Sequence, residues 1–544
     1  MRIWAALAAI AMIAPAGAAT LFDNGRVVVA PDRAPAALAI LVDHGRVAFV
    51  GPSAEARKRA PGAAMVDLSG AVVYPGFADA HGHLSELGRA LESVDLKGIR
   101  SAAACAEKML ARGEAVPGGW IEGDGWDQNL WTPAKFPDAR LLDAGFPDRP
   151  AFARRIDGHA VWVNSAAMRA AGITAATPDP PGGRIVRRAD GSPSGVFVDN
   201  ALDVVMRARP APSDADLRRW FAAAFASCAS FGLTEVGDAS GYGAQEIAVL
   251  DAMARDGAMP IRVYATIGSF DPGFDALLAR GPRSGDLLSI RAVKIYADGA
   301  LGSRGAALLA DYADDPGNRG LDVTPPDRMR TLVERSFAAG FQVWIHAIGD
   351  RANRAALDAF EAAEKAVPGR DRRPRIEHAQ VVAPEDRPRF ARLGVIASIQ
   401  PSFATSDMGW AEARLSPTRV GESYAWRSLA KAGARLAGGS DFPIESNDPR
   451  KGIYAAVTRE DAAGAPKGGW RPDEDLSRAD AIALYTTGAA YAMFQESRRG
   501  TIAEGRDADF TILDRDIASC SAAEIPKARV LMTVVAGNVA YPGR

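Results

Sequence analysis

The chain has 544 residues, 48% hydrophobic and 24% charged, a globular composition that excludes disordered, collagen-like and polytopic membrane classes. Its 64 Lys+Arg against 66 Asp+Glu give a formal net charge of -2, so the charge balance offers no footing for nucleic acid as a partner. At about 150 residues per domain the length predicts three or four units, or one large barrel with additions.

Met1-Arg2 is a basic start, 3–13 an apolar run, and Ala16-Gly17-Ala18 a small-x-small site. Together they predict a cleavable signal peptide over 1–18 and a periplasmic or secreted mature chain. The run is shorter than the about 20 residues that cross a bilayer, and no later stretch reaches that length without charges, so no membrane span is expected. Residues 20–73 read as short β-branched strands bounded by Gly, Asp and Pro, and residues 500–544 look alike, with Asp509-Phe510-Thr511-Ile512-Leu513 and Val530-Leu531-Met532-Thr533-Val534-Val535. This pattern predicts a β-sandwich domain built from both termini.

Residues 74–499 alternate strand and helix, the mark of βα units and a parallel sheet. Ser213 caps a helix whose face carries Leu217, Phe221, Phe225 and Cys228 and which ends at Gly232, with a strand at 233–236 directly after it. Helices at 326–339 and 351–366 and strands at 72–73, 261–267, 291–295, 341–346, Arg375–His378, 395–399 and 436–437 complete a set of eight strands, the number that closes a (β/α)8 TIM barrel. The stretch 95–205 breaks the rhythm, is too long for one connection, and reads as an α+β insertion after strand one on the face where barrel active sites lie. Cys105, Cys228 and Cys520 are too widely spaced for a disulfide framework or a zinc knuckle, and at most one pair could bridge.

Histidine is scarce: there are six in the chain, at positions 44, 81, 83, 159, 346 and 378. Four of them fall at C-terminal ends of predicted barrel strands. His81 and His83 follow the first, and alternate residues of an extended segment point the same way, so the two can reach one ion. Chance alone would give roughly 0.07 His-x-His pairs in such a chain. His346 ends the fifth strand, His378 the sixth, and Asp441 places a carboxylate after the eighth. Lys294, on the fourth strand, is an odd choice for a packed interior; either it pairs with a carboxylate or its amine is chemically changed.

This set resembles the metal-dependent amidohydrolase superfamily in its two-metal form. The longer runs Pro75-Gly76-Phe77-Ala78-Asp79-Ala80-His81-Gly82-His83, Gly158-His159-Ala160-Val161-Trp162-Val163-Asn164-Ser165, Val293-Lys294-Ile295-Tyr296-Ala297-Asp298-Gly299-Ala300-Leu301-Gly302-Ser303-Arg304 and Gly439-Ser440-Asp441-Phe442-Pro443 narrow it to the YtcJ-like, amidohydrolase-3 family. The resemblance implies His81 and His83 on a buried ion, His346 and His378 on a more exposed one, and a carbamylated Lys294 bridging both. It implies zinc first, with manganese, iron or cobalt as alternatives. Asp441 would serve as general base and acid for a hydroxide bridging the ions, cleaving a non-peptide C–N bond of an amide or N-acyl compound. A deaminase or an ester or lactone hydrolase of the same superfamily is the alternative, and a non-catalytic binding protein on the same fold is the alternative of another class.

Substrate contacts are open between two readings. His159, in the insertion, either holds a substrate carbonyl or carboxylate or donates a structural hydrogen bond. Trp126, Asp127 and Trp131 either wall the pocket or form the insertion's own core. Arg304 either meets an anionic substrate group or is salt-bridged. The partners expected are a small-molecule substrate and, at most, a second copy of the chain in a homodimer.

Overall fold

The computed structural model describes residues 19–115, 119–155, 160–180, 183–199, 201–302, 304–369 and 371–543. The expected signal peptide (1–18) and His159 lie outside the described residues. Two compact units are present, Met1–Leu84 with Ala224–Arg544, and Ser85–Ala223.

The first unit is built on eight parallel strands in sequential order: Phe77–Gly82 (β1), Leu233–Tyr242 (β2), Arg262–Gly268 (β3), Leu288–Tyr296 (β4), Gln342–Ala347 (β5), Arg375–His378 (β6), Ile396–Ile399 (β7) and Arg435–Gly438 (β8). Beyond β8 the Asp441 N–H donates to His81 O at 2.7 Å and the His83 N–H to Phe442 O at 2.9 Å, which ties the last strand back to the first as a TIM barrel requires. Helices Pro326–Ala338 (α1), Asp350–Ala366 (α2) and Pro401–Arg419 (α3) belong to the connections. The barrel interior alternates small and large: Ala78, Ala80, Ala239, Ala292 and Ala437 leave room for Trp344 and Tyr264, whose rings stack at 5.7 Å.

Barrel strand one differs from expectation. Val72–Pro75 pairs with Phe510–Leu513 in a five-stranded sheet that joins both termini, and β1 is the next segment. The chain turns at Gly76, where a Cβ would sit 2.4 Å from Thr234 Oγ1, so only glycine passes there. A four-stranded sheet from residues 20–67 packs over the five-stranded one through Phe22, Ile40, Val73, Phe510 and Val534, the two-layer arrangement of a sandwich.

The second unit carries a six-stranded sheet with its own core of Trp126, Trp131, Trp162 and Met109. Ser213 caps the helix Asp214–Ser230 as expected, its Oγ accepting from the Asp216 N–H at 3.2 Å. All three cysteines are free thiols. No helix among the described residues is long and apolar enough to cross a membrane.

Candidate metal centre

Strand parity explains how the site is assembled. Ala292 and Trp344 belong to the interior core, so Lys294 and His346, each two residues further along β4 and β5, face the same interior one layer higher. On β6 the Arg375 guanidinium lies over Trp344, 3.5 Å from its ring centroid, and Glu377 continues that face. His81, His83, His378 and Asp441 come from the ends of β1, β6 and the turn after β8. His378 and Asp441 both adopt left-handed backbone angles, φ 73° and 59°, a costly conformation for non-glycine residues that clusters at functional sites.

The donors converge. One ligand atom from each of His81, His378 and Asp441 lies within 4.8 Å of the others. Asp441 Oδ1 is 2.8 Å from His83 Nε2 and 3.3 Å from His81 Nε2, and the His346 and His378 rings are 4.5 Å apart. Among the described residues, His81 Nε2, His346 Nε2 and His378 Nδ1 are buried without a hydrogen-bond partner, a cost a native interior rarely carries unless a further group completes it. Imidazole and carboxylate donors in this arrangement fit a divalent transition metal.

The electrostatics agree. Burial lowers His378 to about 3 and takes His346 well below the ordinary histidine range, so both rings are neutral and carry a lone pair at physiological pH. Burial lowers Lys294 to about 8, although Glu377 and Asp441 pull the other way. Burial alone would raise Asp441 and Glu377; His81 and His83 hold the first, and Arg375 and His81 the second, well below the ordinary carboxylate range.

Four residues that are not among the sequence candidates brace this centre. Glu377 Oε2 is 2.5 Å from His81 Nδ1, and Arg375 donates to both Glu377 oxygens at 2.8 and 2.9 Å. A carboxylate on Nδ1 fixes the tautomer that leaves Nε2 free for an ion. Asp79 accepts from the backbone of His81 and Ser440 and from Ser440 Oγ, locking the ends of β1 and β8 together. Asp298 accepts from the backbone N–H groups of Ala307, Ile348 and Gly349 at 2.8 to 3.0 Å and lies 3.5 Å from His346 Nε2. The signal available was charge inside apolar strand runs, readable only once the parity of each strand is known.

The expected substrate contacts fare differently. Trp126 is fully buried in the second unit's core, its indole N–H donating to Ala153 O, because its strand faces that unit's own helix and sheet. Asp127 accepts from Arg155 at 3.0 Å. Arg304 is engaged by Asp314 at 2.9 and 3.1 Å, the salt-bridged alternative.

Comparison with known proteins identifies the family. The family model described as "Amidohydrolase family" matches residues 64–541. A Bacillus subtilis (strain 168) protein named as the amidohydrolase YtcJ is 36% identical over 481 residues, 88% of this chain and 90% of that protein. The N-substituted formamide deformylase of Arthrobacter pascens is 31% identical over 525 residues, 91% and 93% of the two chains. Among solved structures, a metal-dependent hydrolase of Pyrococcus furiosus whose role is uncharacterized superposes with a TM-score of 0.79 at 30% identity, covering 92% of this chain and all of that one. With the family matched across most of its length, the chain belongs to the amidohydrolase family of metal-dependent hydrolases.

Proposed function

We propose that the chain hydrolyses a non-peptide C–N bond of a small amide or N-acyl compound, using two divalent ions held by His81, His83, Lys294, His346, His378 and Asp441. The observation that carries this is the convergence of neutral histidines, a depressed carboxylate and a buried lysine at one end of a closed barrel. When bound, the ions acidify water and polarise a carbonyl. Asp441, ionised and shared between His81 and His83, is the residue suited to accept a proton at its carboxylate and return it to the leaving nitrogen. The buried Lys294 serves as an oxygen ligand once its neutral amine adds carbon dioxide, forming a carbamate and releasing one proton. Glu377 and Arg375 orient His81 throughout. The likeness to the formamide deformylase supports an N-acyl substrate, and the N-terminal run supports export to the periplasm or beyond.

Metal analysis of the purified protein with Lys294→Ala tests this reading. Two ions per chain, and loss of hydrolysis of N-acyl amines in the variant, are expected. Fewer than one tightly bound ion, or undiminished hydrolysis after the substitution, would sink it.

A further inference from the structure

Gln400 directly follows β7. Ile396 belongs to the barrel core, and Ser398 Oγ accepts from the interior Arg375 at 2.8 Å, so alternation carries the Gln400 side chain to the same inward face, one layer above Glu377 and Ser398. Gln400 is 3% exposed. Its Nε2 donates to Ser398 O at 3.2 Å, which fixes the amide orientation, since a flip would set two oxygens against each other. Oε1 is left as a buried acceptor with no partner among the described residues, an unmet hydrogen bond that a bound ligand's donor can complete.

The helix that Gln400 opens continues the theme. Phe403 lies flat against the metal-ligand candidate His378, ring centroids 6.0 Å apart at 10°, so this face of α3 looks onto the centre. Asp407, four residues on, shares that face. Its Oδ2 is bonded by the Tyr424 hydroxyl at 2.6 Å and the Gln380 amide at 3.4 Å, both neutral donors. Burial pushes its carboxyl up to about 6, and Glu445 adds negative field. Arg304, one of whose two readings is a contact to an anionic substrate group, is paired with Asp314.

We propose that Gln400 and Asp407 form the subsite for the nitrogen side of the substrate, accepting hydrogen bonds from N–H or ammonium groups and disfavouring a carboxylate there. This rests on the hydrolase reading above and narrows it to N-acyl derivatives of neutral or cationic amines, as opposed to N-acyl amino acids.

Three matched probes test it with the zinc-loaded full chain: N-formylbenzylamine (neutral), N-formyl-1,4-diaminobutane (cationic) and N-formylglycine (anionic). The first two are expected to be cleaved with kcat/KM about tenfold or more above the third, the worth of one charge-assisted hydrogen bond. Asp407→Asn should erase most of the advantage of the diamine over the benzylamine derivative, and Gln400→Leu should lower both. Metal content and melting temperature establish that each variant is intact; where one does not fold, the wild-type ranking decides alone. N-formylglycine as the best probe, or ratios unmoved in intact variants, overturns the subsite and leaves the hydrolase reading standing. Cleavage of none of the three overturns both.

Discussion

Glu377→Gln separates a metal-orienting role from a merely structural one. In the native chain the Glu377 carboxylate stands between Arg375 and His81 Nδ1 with neither glutamate nor arginine exposed. Glu377→Gln keeps the volume but offers one acceptor and one N–H2 where there were two acceptors. If the new oxygen serves Arg375, the amide donates to His81 Nδ1, reversing the tautomer and placing a proton on Nε2, where an ion needs a lone pair. Removing such a partner weakens metal affinity by about 10- to 100-fold, or about 1.4–2.8 kcal/mol. The loss of one charged hydrogen bond to a buried guanidinium adds about 1.5–3 kcal/mol of destabilisation, well short of the 5–15 kcal/mol that typically holds a domain folded. Ser398→Ala is the control, because it removes one bond to the same Arg375 at 2.8 Å without touching His81. Competition for zinc with a chromogenic chelator, alongside thermal melts of the apo-protein, reads both effects. Glu377→Gln should lower both affinity and melting temperature, and Ser398→Ala the melting temperature alone. Unchanged zinc affinity in Glu377→Gln, or equal weakening in the control, would refute the orienting role.

Three further expectations follow from the geometry. His378 has a folded pKa of about 3 against about 6.5 unfolded, so the unfolded chain binds the extra proton between those values; apo-protein stability should fall by a few kcal/mol as pH drops from 6.5 towards 3, a slope that His378→Asn flattens in urea melts across that range. Gly439→Ala would place a Cβ 2.5 Å from the His81 nitrogen and 2.7 Å from its Cβ, costing about 1–3 kcal/mol through overpacking and, by displacing His81, lowering bound metal per chain; full metal content in the variant would contradict the crowding. At the opposite end of the strands Arg262 donates to Asp509 at 2.7 and 2.9 Å with both buried, so Asp509→Asn should cost about 3–5 kcal/mol in urea unfolding while metal content below the melting transition stays that of the wild type.

How much of this was legible before folding depends on residue rarity and on strand parity. His81, His83, His346 and His378 stood out because histidine is scarce, and Lys294 because an amine is out of place inside a barrel; their strand ends could be counted from alternating runs. The β-branched signature falls on Val72-Val73, one segment before the first barrel strand, because β1, Phe77–Gly82, is mostly small and polar. Its alanines are small because Trp344 and Tyr264 fill the barrel beside them, a tertiary reason that propensity cannot express. The carboxylates that brace the histidines were hidden for the opposite reason. Asp79, Asp298 and Glu377 are three among 66 acidic residues, and only folding reveals that Arg375 and Glu377, two apart on β6, share the inward face with Ser398 on β7 and Gln400 directly after it. Once that parity is known, the Gln400 oxygen and the candidate metal ligands become parts of one layered arrangement: apolar packing below, a charged layer at Arg375 and Glu377, the proposed metal donors above it, and the proposed acceptors for a substrate nitrogen at the rim. A barrel whose strands alternate in this way can change its substrate at the rim without disturbing the layer proposed to hold the ions, because Gln400 and Asp407 bond to Ser398, Tyr424 and Gln380 and, among the described residues, to none of the six proposed ligands.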